Sequence, residues 1–290
     1  MPKCTSTSGC TASLAFKTLV STAELAAHLG KWRIFDCRHD LAQPELGERQ
    51  YREGHIPGAL FAHLDRNLSA PKSGKNGRHP LPDPKAFGAW LGRQGVRNAD
   101  QVVCYDGANG AMAARLWWLL RWVGHDAVAV LDGGFAKWTA EGRPVNADMA
   151  QPQAAKFEVR LRADMSVPVE AIAKTLRKRT LLDARSPARY RGEQEPIDPI
   201  AGRIPGALNR YNMDNVRGSG QFKTAEQLRT EFQQVLGSRA PSEVVNYCGS
   251  GVAACHNLLA MEVAGLAGGK LYAGSWSEWI ADPARPREKG

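Results

Sequence analysis

The chain has no apolar stretch long enough to cross a membrane. Its most hydrophobic segment, Leu116-Trp117-Trp118-Leu119-Leu120-Arg121-Trp122-Val123, is short and interrupted by an arginine, whereas a bilayer demands about 20 apolar residues; it reads as a buried helix face. Cys-x-x-Cys pairs and histidines at metal-ligand spacing are also missing, so the six cysteines at 4, 10, 37, 104, 248 and 255 spell no zinc site. Spread over 290 residues, they suggest reduced thiols and a cytoplasmic location rather than a disulfide framework. Met1 to Cys10 lacks the apolar core of a signal peptide and reads as a loose tail. Blocks of like charge are absent too: 38 basic and 29 acidic side chains give a net charge of +9 without a basic arm or a basic run interleaved with aromatics. That balance favours small anionic partners and argues against nucleic acid or a membrane surface.

What the chain does have is Cys248 at the end of an apolar run, Val244-Val245-Asn246-Tyr247, followed by Gly249-Ser250-Gly251-Val252-Ala253 and a helix-forming stretch. A short apolar run before turn signals reads as a buried strand, so the order is strand, tight loop, helix. Glycines in such a loop let successive N–H groups turn inward around the sulfur, and the helix start adds partial positive charge. A cradle of this kind favours a nucleophilic thiolate. A cysteine packed as a small hydrophobe would explain the thiol but not the glycines and serine beside it. Cys255 sits inside the apolar helix and reads as core.

The chain is internally duplicated. Asp36-Cys37-Arg38 is answered by Asp183-Ala184-Arg185, and Gly54-His55-Ile56-Pro57-Gly58-Ala59-Leu60 by Gly202-Arg203-Ile204-Pro205-Gly206-Ala207-Leu208. Val102 to Gly107 parallels Val244 to Gly249, and Leu131-Asp132-Gly133-Gly134 parallels Leu271-Tyr272-Ala273-Gly274. In each half short apolar runs alternate with helix signals, which predicts an α/β fold with a mostly parallel central sheet flanked by helices. Ser21 and Thr224 have capping-box spacing, and Asp83-Pro84 opens another helix. The expected division is a first domain over 14–143, a linker over 144–157 and a second domain over 158–290. At the position of Cys248 the first half has Asp106. Only the second half is therefore expected to act chemically, with Asp106 accepting N–H bonds from its own loop.

The paired Gly-(His/Arg)-Ile-Pro-Gly-Ala turns, the Cys248-Gly249-Ser250-Gly251-Val252 loop, Asp183-Ala184-Arg185 and Gly274-Ser275-Trp276-Ser277-Glu278-Trp279 resemble the tandem-domain sulfurtransferases of the rhodanese family, from about Leu14 to Asp282. The resemblance implies two rhodanese-like domains, an inert first one and a catalytic second one, with substrate in the cleft between them. It also implies transfer through a persulfide on Cys248, and neither metal nor organic cofactor. Further implications are a small anionic sulfur donor, a thiol, cyanide or thioredoxin-like acceptor, and a monomer. The Cys-Gly-Ser-Gly-Val loop is similar to that of 3-mercaptopyruvate sulfurtransferases, in which a loop serine, a histidine and an acid from the first domain move a proton. On that pattern Ser250 matches the serine and His55 the histidine, with Glu48, ahead of Glu45, as the acid. Arg189 matches an arginine that binds substrate carboxylate, and Asp183 and Arg185 hold the strand end and loop together.

Two features keep the donor open. The family's second substrate arginine is expected after Glu195-Pro196, where this chain has Ile197; Arg191, or Arg203 in place of the histidine of the second Gly-x-Ile-Pro-Gly turn, could substitute, but ordinary salt bridging is the better reading of both. Thiosulfate-using relatives carry basic residues after the cysteine, and this loop has none. The alternatives are therefore 3-mercaptopyruvate and thiosulfate as donors, with a non-catalytic binding module as a remote third. A cysteine phosphatase would need Cys-x5-Arg, and Ala254 occupies that place.

Overall fold

The computed structural model describes residues 15–176 and 178–290. The expected tail from Met1 to Cys10 lies outside the described residues. Nine strands fall in the order β1 (Leu19–Val20), β2 (Arg33–Asp36), β3 (Leu60–Phe61), β4 (Val102–Tyr105), β5 (Val128–Leu131), β6 (Thr180–Asp183), β7 (Leu208–Asn209), β8 (Val244–Tyr247) and β9 (Lys270–Leu271). They form two sheets, ordered β1-β5-β4-β2-β3 and β7-β6-β8-β9. Every pairing within them is parallel. Parallel neighbours need crossover connections, which explains why strands and helices alternate along the chain. β4, β5 and β8 are buried at every residue, as expected of strands covered by helices on both faces.

The helix starts follow their capping residues. Ser21 Oγ accepts the Glu24 N–H at 3.1 Å, and Asp83 accepts the Ala86 N–H at 2.8 Å ahead of Pro84. Thr224 and Gln227 complete a reciprocal capping box, so orphan donors of the first turn are satisfied locally.

The duplication extends to hydrogen bonds. Arg38 grips Asp36 and donates to Gly54 O at 2.7 Å; Arg185 grips Asp183 and donates to Gly202 O, also at 2.7 Å. Tyr105 and Tyr247 hydroxyls each accept a turn N–H, from Ile56 and Ile204, at 3.3 Å. The central strands β4 and β8 therefore end at equivalent places, the first at Asp106 and the second at Cys248.

The two halves share a core. Helix Ala113–Trp122 packs against helix Ala253–Val263, and one apolar cluster contains Leu116, Leu119 and Leu120 together with Leu258, Leu259 and Met261. Around it, Asp132 accepts the Phe222 N–H at 2.8 Å, Arg121 pairs with Glu262 at 3.2 Å, and His256 Nε2 lies 2.9 Å from Asn109 O. The connecting segment adheres to the first domain, with His55 and Asn146 exchanging backbone bonds and Ala155 N donating to Gly92 O. Among the described residues no helix is long and apolar enough to cross a membrane.

Because the core is continuous across the cleft, the halves are expected to unfold together. Leu259→Ala should lower stability by about 2–5 kcal/mol while leaving one calorimetric transition; two separated transitions would contradict a shared core.

Candidate active site

Cys248 leaves the carboxyl end of β8, a strand with a neighbour on each side, where open α/β sheets present their ligand crevices. The residue is 3% exposed, and its sulfur accepts the Gly251 N–H at 3.1 Å and the Ser250 N–H at 3.4 Å. The turn after β9 clamps the same loop from below. Ser275 Oγ accepts the Cys248 N–H at 3.1 Å, and Trp276 N and Ser277 N each donate to a loop carbonyl, of Cys248 and Gly249, at 3.0 Å. Ser275 adopts φ +56°, a left-handed conformation that side-chain-bearing residues hold only under constraint; here the constraint is its fully buried hydroxyl, wedged between Cys248 N and Tyr272 O. Gly251 stands at φ +80°, and a Cβ there would lie 2.4 Å from Ala273 O, so the bend that aims its N–H at the sulfur requires glycine. Val252 caps the following helix and Ala253 begins it.

The first half's Asp106 carboxylate occupies the equivalent cradle. It accepts N–H bonds from Ala108, Gly110, Met112 and Ala113 at 2.8–3.2 Å. This loop geometry therefore turns N–H donors onto one acceptor in both copies, a carboxylate in one and a sulfur in the other.

The partner of Ser250 corrects the sequence reading. His79 Nδ1 lies 2.8 Å from Ser250 Oγ, and its Nε2 faces Asp65 Oδ1 at 3.5 Å. His55 is fully buried in its turn, stacked on Tyr51, with Nδ1 on Tyr51 O and Nε2 on Asp148 O. A carbonyl oxygen thus faces each ring nitrogen. Glu48 is bound by Arg52 and Arg66, and Glu45 faces His63 and Arg66. His79 and Asp65 were missed because they lie in an irregular segment between β3 and helix Pro84–Arg93, without periodicity or a duplicated marker. The available signal was the histidine in Arg78-His79-Pro80, inside a stretch that the second half does not repeat.

Beneath these groups lies Arg115, fully buried. Its guanidinium donates to the carbonyls of Leu68, His79 and Pro80 in the first domain at 3.0–3.4 Å and reaches Gly251 O of the second at 3.5 Å. Burial, reinforced by the Arg115 charge, pushes the His79 imidazole down to about 3, so it is neutral at any ordinary pH. Burial alone would raise the Asp65 carboxyl, but the Lys72 ammonium at 3.2 Å holds it below its usual range. Burial pushes Cys255 up to about 12, consistent with its expected place in the core.

The cleft beside Cys248 encloses about 230 Å³. Both domains line it, with Leu41, Arg78 and Met112 from the first facing Arg185, Arg189, Ile197 and Ser250 from the second. Arg185 clasps Asp183, reaches Glu195 at 3.2 Å and stacks on Trp276. Arg189 holds Glu195 through Nε and Nη2 and touches Asp198 at 3.1 Å. Arg191 and Arg203 are engaged in ordinary salt bridges, the reading preferred from sequence over a substrate role. Arg191 is an exposed partner of Glu193, and Arg203 binds Glu288 and the Gly290 carbonyl.

His39, His63 and Asp65 bring potential metal ligands within 4.8 Å of one another. The donor set fits a cation poorly. His63 Nδ1 faces the Asp65 and Arg66 N–H groups as an acceptor, which leaves the proton of the neutral ring on Nε2, and the Lys72 ammonium already pairs with Asp65.

The rhodanese-like domain pattern matches residues 21–141 and 169–282, once for each sheet. The chain belongs to the rhodanese family. It is 46% identical over 278 residues to a probable 3-mercaptopyruvate sulfurtransferase of Pseudomonas aeruginosa, covering 94% of this chain and 98% of that one. It is 37% identical over 280 residues to a putative thiosulfate sulfurtransferase, SseB, of Mycobacterium tuberculosis, covering 94% and 98%. The solved 3-mercaptopyruvate sulfurtransferase from Leishmania major superposes with a TM-score of 0.81 at 32% identity, covering 93% of this chain and 75% of that one. This rhodanese is accordingly a sulfurtransferase enzyme with two rhodanese-like domains.

The depressed His79 has a stability consequence. Unfolded, a histidine takes up its proton near pH 6.5; folded, His79 does so only near 3. The unfolded chain binds more protons between those values, so stability falls as pH drops through that window, by on the order of 4 kcal/mol when complete. Urea titrations from pH 7 to 4 should show a shallower loss for His79→Gln than for the parent rhodanese; an identical slope would contradict the buried neutral state.

Proposed function

We propose that the chain moves sulfur from 3-mercaptopyruvate to a thiol, cyanide or a thioredoxin-like protein through a persulfide on Cys248. The observation that carries this reading is the 2.8 Å contact of Ser250 Oγ with the neutral His79, adjacent to the cradled sulfur. A proton route is useful only to a donor whose leaving group changes protonation. In the first step the Cys248 thiolate attacks the donor sulfur, the S–S bond forms and the C–S bond breaks, and the electron pair departs as the enolate of pyruvate. Ser250, coupled to His79 and Asp65, takes the proton of the substrate thiol and returns it to the enolate carbon. The products are pyruvate and the Cys248 persulfide anion. In the second step the acceptor attacks the outer sulfur, giving thiocyanate or an acceptor persulfide and restoring the thiolate. The loop N–H groups stabilise charge on either sulfur, and division into two transfers is the advantage of covalent catalysis. Arg189 supplies a planar guanidinium for the substrate carboxylate.

Thiosulfate is the second reading, favoured by Ile197 where a second arginine is expected. Its leaving group, sulfite, departs without gaining a proton. Donor comparison therefore separates the two. Cys248→Ser should abolish turnover and the persulfide mass adduct with either donor. Ser250→Ala and His79→Gln should lower kcat with 3-mercaptopyruvate by about 10²–10⁴ and leave thiosulfate:cyanide turnover within a few-fold. Equal losses with both donors would sink the proton route.

A further inference from the structure

We propose that Arg78, reaching across from the first domain, is a specificity residue that binds the substrate carboxylate together with Arg189. This deepens the preceding reading and rests on it for the identity of the carboxylate. Arg78 lines the cleft that holds Cys248 and Arg189, and its own N–H donates to Ser277 Oγ of the opposite domain at 3.1 Å, which fixes its backbone against the turn supporting the Cys248 loop. The two guanidiniums converge on one point. A Cβ built on Gly249, the residue after Cys248, would sit 2.6 Å from Arg78 Nη2, 3.3 Å from Arg189 Nη2 and 3.5 Å from Asp198 Oδ2, the carboxylate oxygen the two share.

A carboxylate already shows how the pair holds an anion. Asp198 Oδ2 accepts from Arg78 Nη2 at 3.2 Å and from Arg189 Nη2 at 3.1 Å, so a single oxygen is shared between cations from opposite domains. Asp198 is buried, at 6% exposure, and holds both side chains in place. Neither Nη1 has a hydrogen-bond partner among the described residues, and the side chains remain 25% and 16% exposed. Each fork therefore keeps a donor for an incoming anion, and a guanidinium has enough donors to serve two carboxylates at once. Gly249 has no side chain to block the approach.

The placement also accounts for Ile197. That residue, 44% exposed, lines the same cleft at the position where the resemblance looks for a second cation. In this chain the cation comes from the facing domain. Recognition of a 2-oxo acid then depends on the domains being docked, since neither half carries both guanidiniums.

The test compares the parent enzyme with Arg78→Gln, Arg78→Lys and Arg78→Gln/Ile197→Arg, using 3-mercaptopyruvate and thiosulfate as donors and pyruvate as a competitive inhibitor of thiosulfate:cyanide turnover. Arg78→Gln should raise KM for 3-mercaptopyruvate and Ki for pyruvate about 10- to 100-fold, with kcat changed far less. Arg78→Lys should fall between. Restoring a cation at position 197 should recover most of both constants, an effect that repair of a purely structural contact would not give. Unchanged KM and Ki in Arg78→Gln, or no recovery in the double variant, would overturn the proposal. Poor turnover of 3-mercaptopyruvate by the parent enzyme would instead defeat the donor assignment, and the pyruvate Ki would still report on Arg78.

Discussion

Arg115 is the constraint on which the site depends. A guanidinium removed from water is costly unless its donors are met, and here they are met by carbonyl dipoles from the Leu68 to Pro80 segment and from Gly251. Meeting them ties the segment carrying His79 to the loop carrying Cys248. Burial keeps His79 unprotonated, and the cation reinforces that state while lying close to the Cys248 loop. Arg115 thus contributes to both position and protonation state, and both rely on the shared core that presses helix Ala113–Trp122 against helix Ala253–Val263.

The parts of this arrangement that are local in sequence were legible. Cys248, its glycine loop, the paired Asp-x-Arg strand ends and the capping residues each follow from a few consecutive positions, and the duplication supplied the architecture. Asp106 was read correctly as an acceptor for its own loop, because comparing the two copies isolates that one difference. The proton partner was not legible. His55 stands in the chain's best-marked turn, yet a marked turn is also where the fold uses side chains for itself, and a carbonyl oxygen faces each of its ring nitrogens. His79 and Asp65 acquire meaning only when the domains dock, and no spacing rule records a contact separated by 171 residues.

The charge of the cleft is similarly a product of assembly. Arg185, Arg189 and Arg78 come from three places, and Glu195 and Asp198 bind them into one network. Sequence left Arg191 and Arg203 as possible additional cations but favoured ordinary salt bridging, and each does fasten local structure. Arg78 adjoins His79, so the same irregular loop delivers an imidazole and a cation to the second domain.

The two loops at the ends of β4 and β8 show how a repeated fold divides its obligations. In the first copy a carboxylate engages four backbone donors; in the second, a sulfur meets two, with a strained Ser275 behind it. One bend is a closed fastening and the other an open socket. The closed copy is the ballast that makes the strain of the open one tolerable.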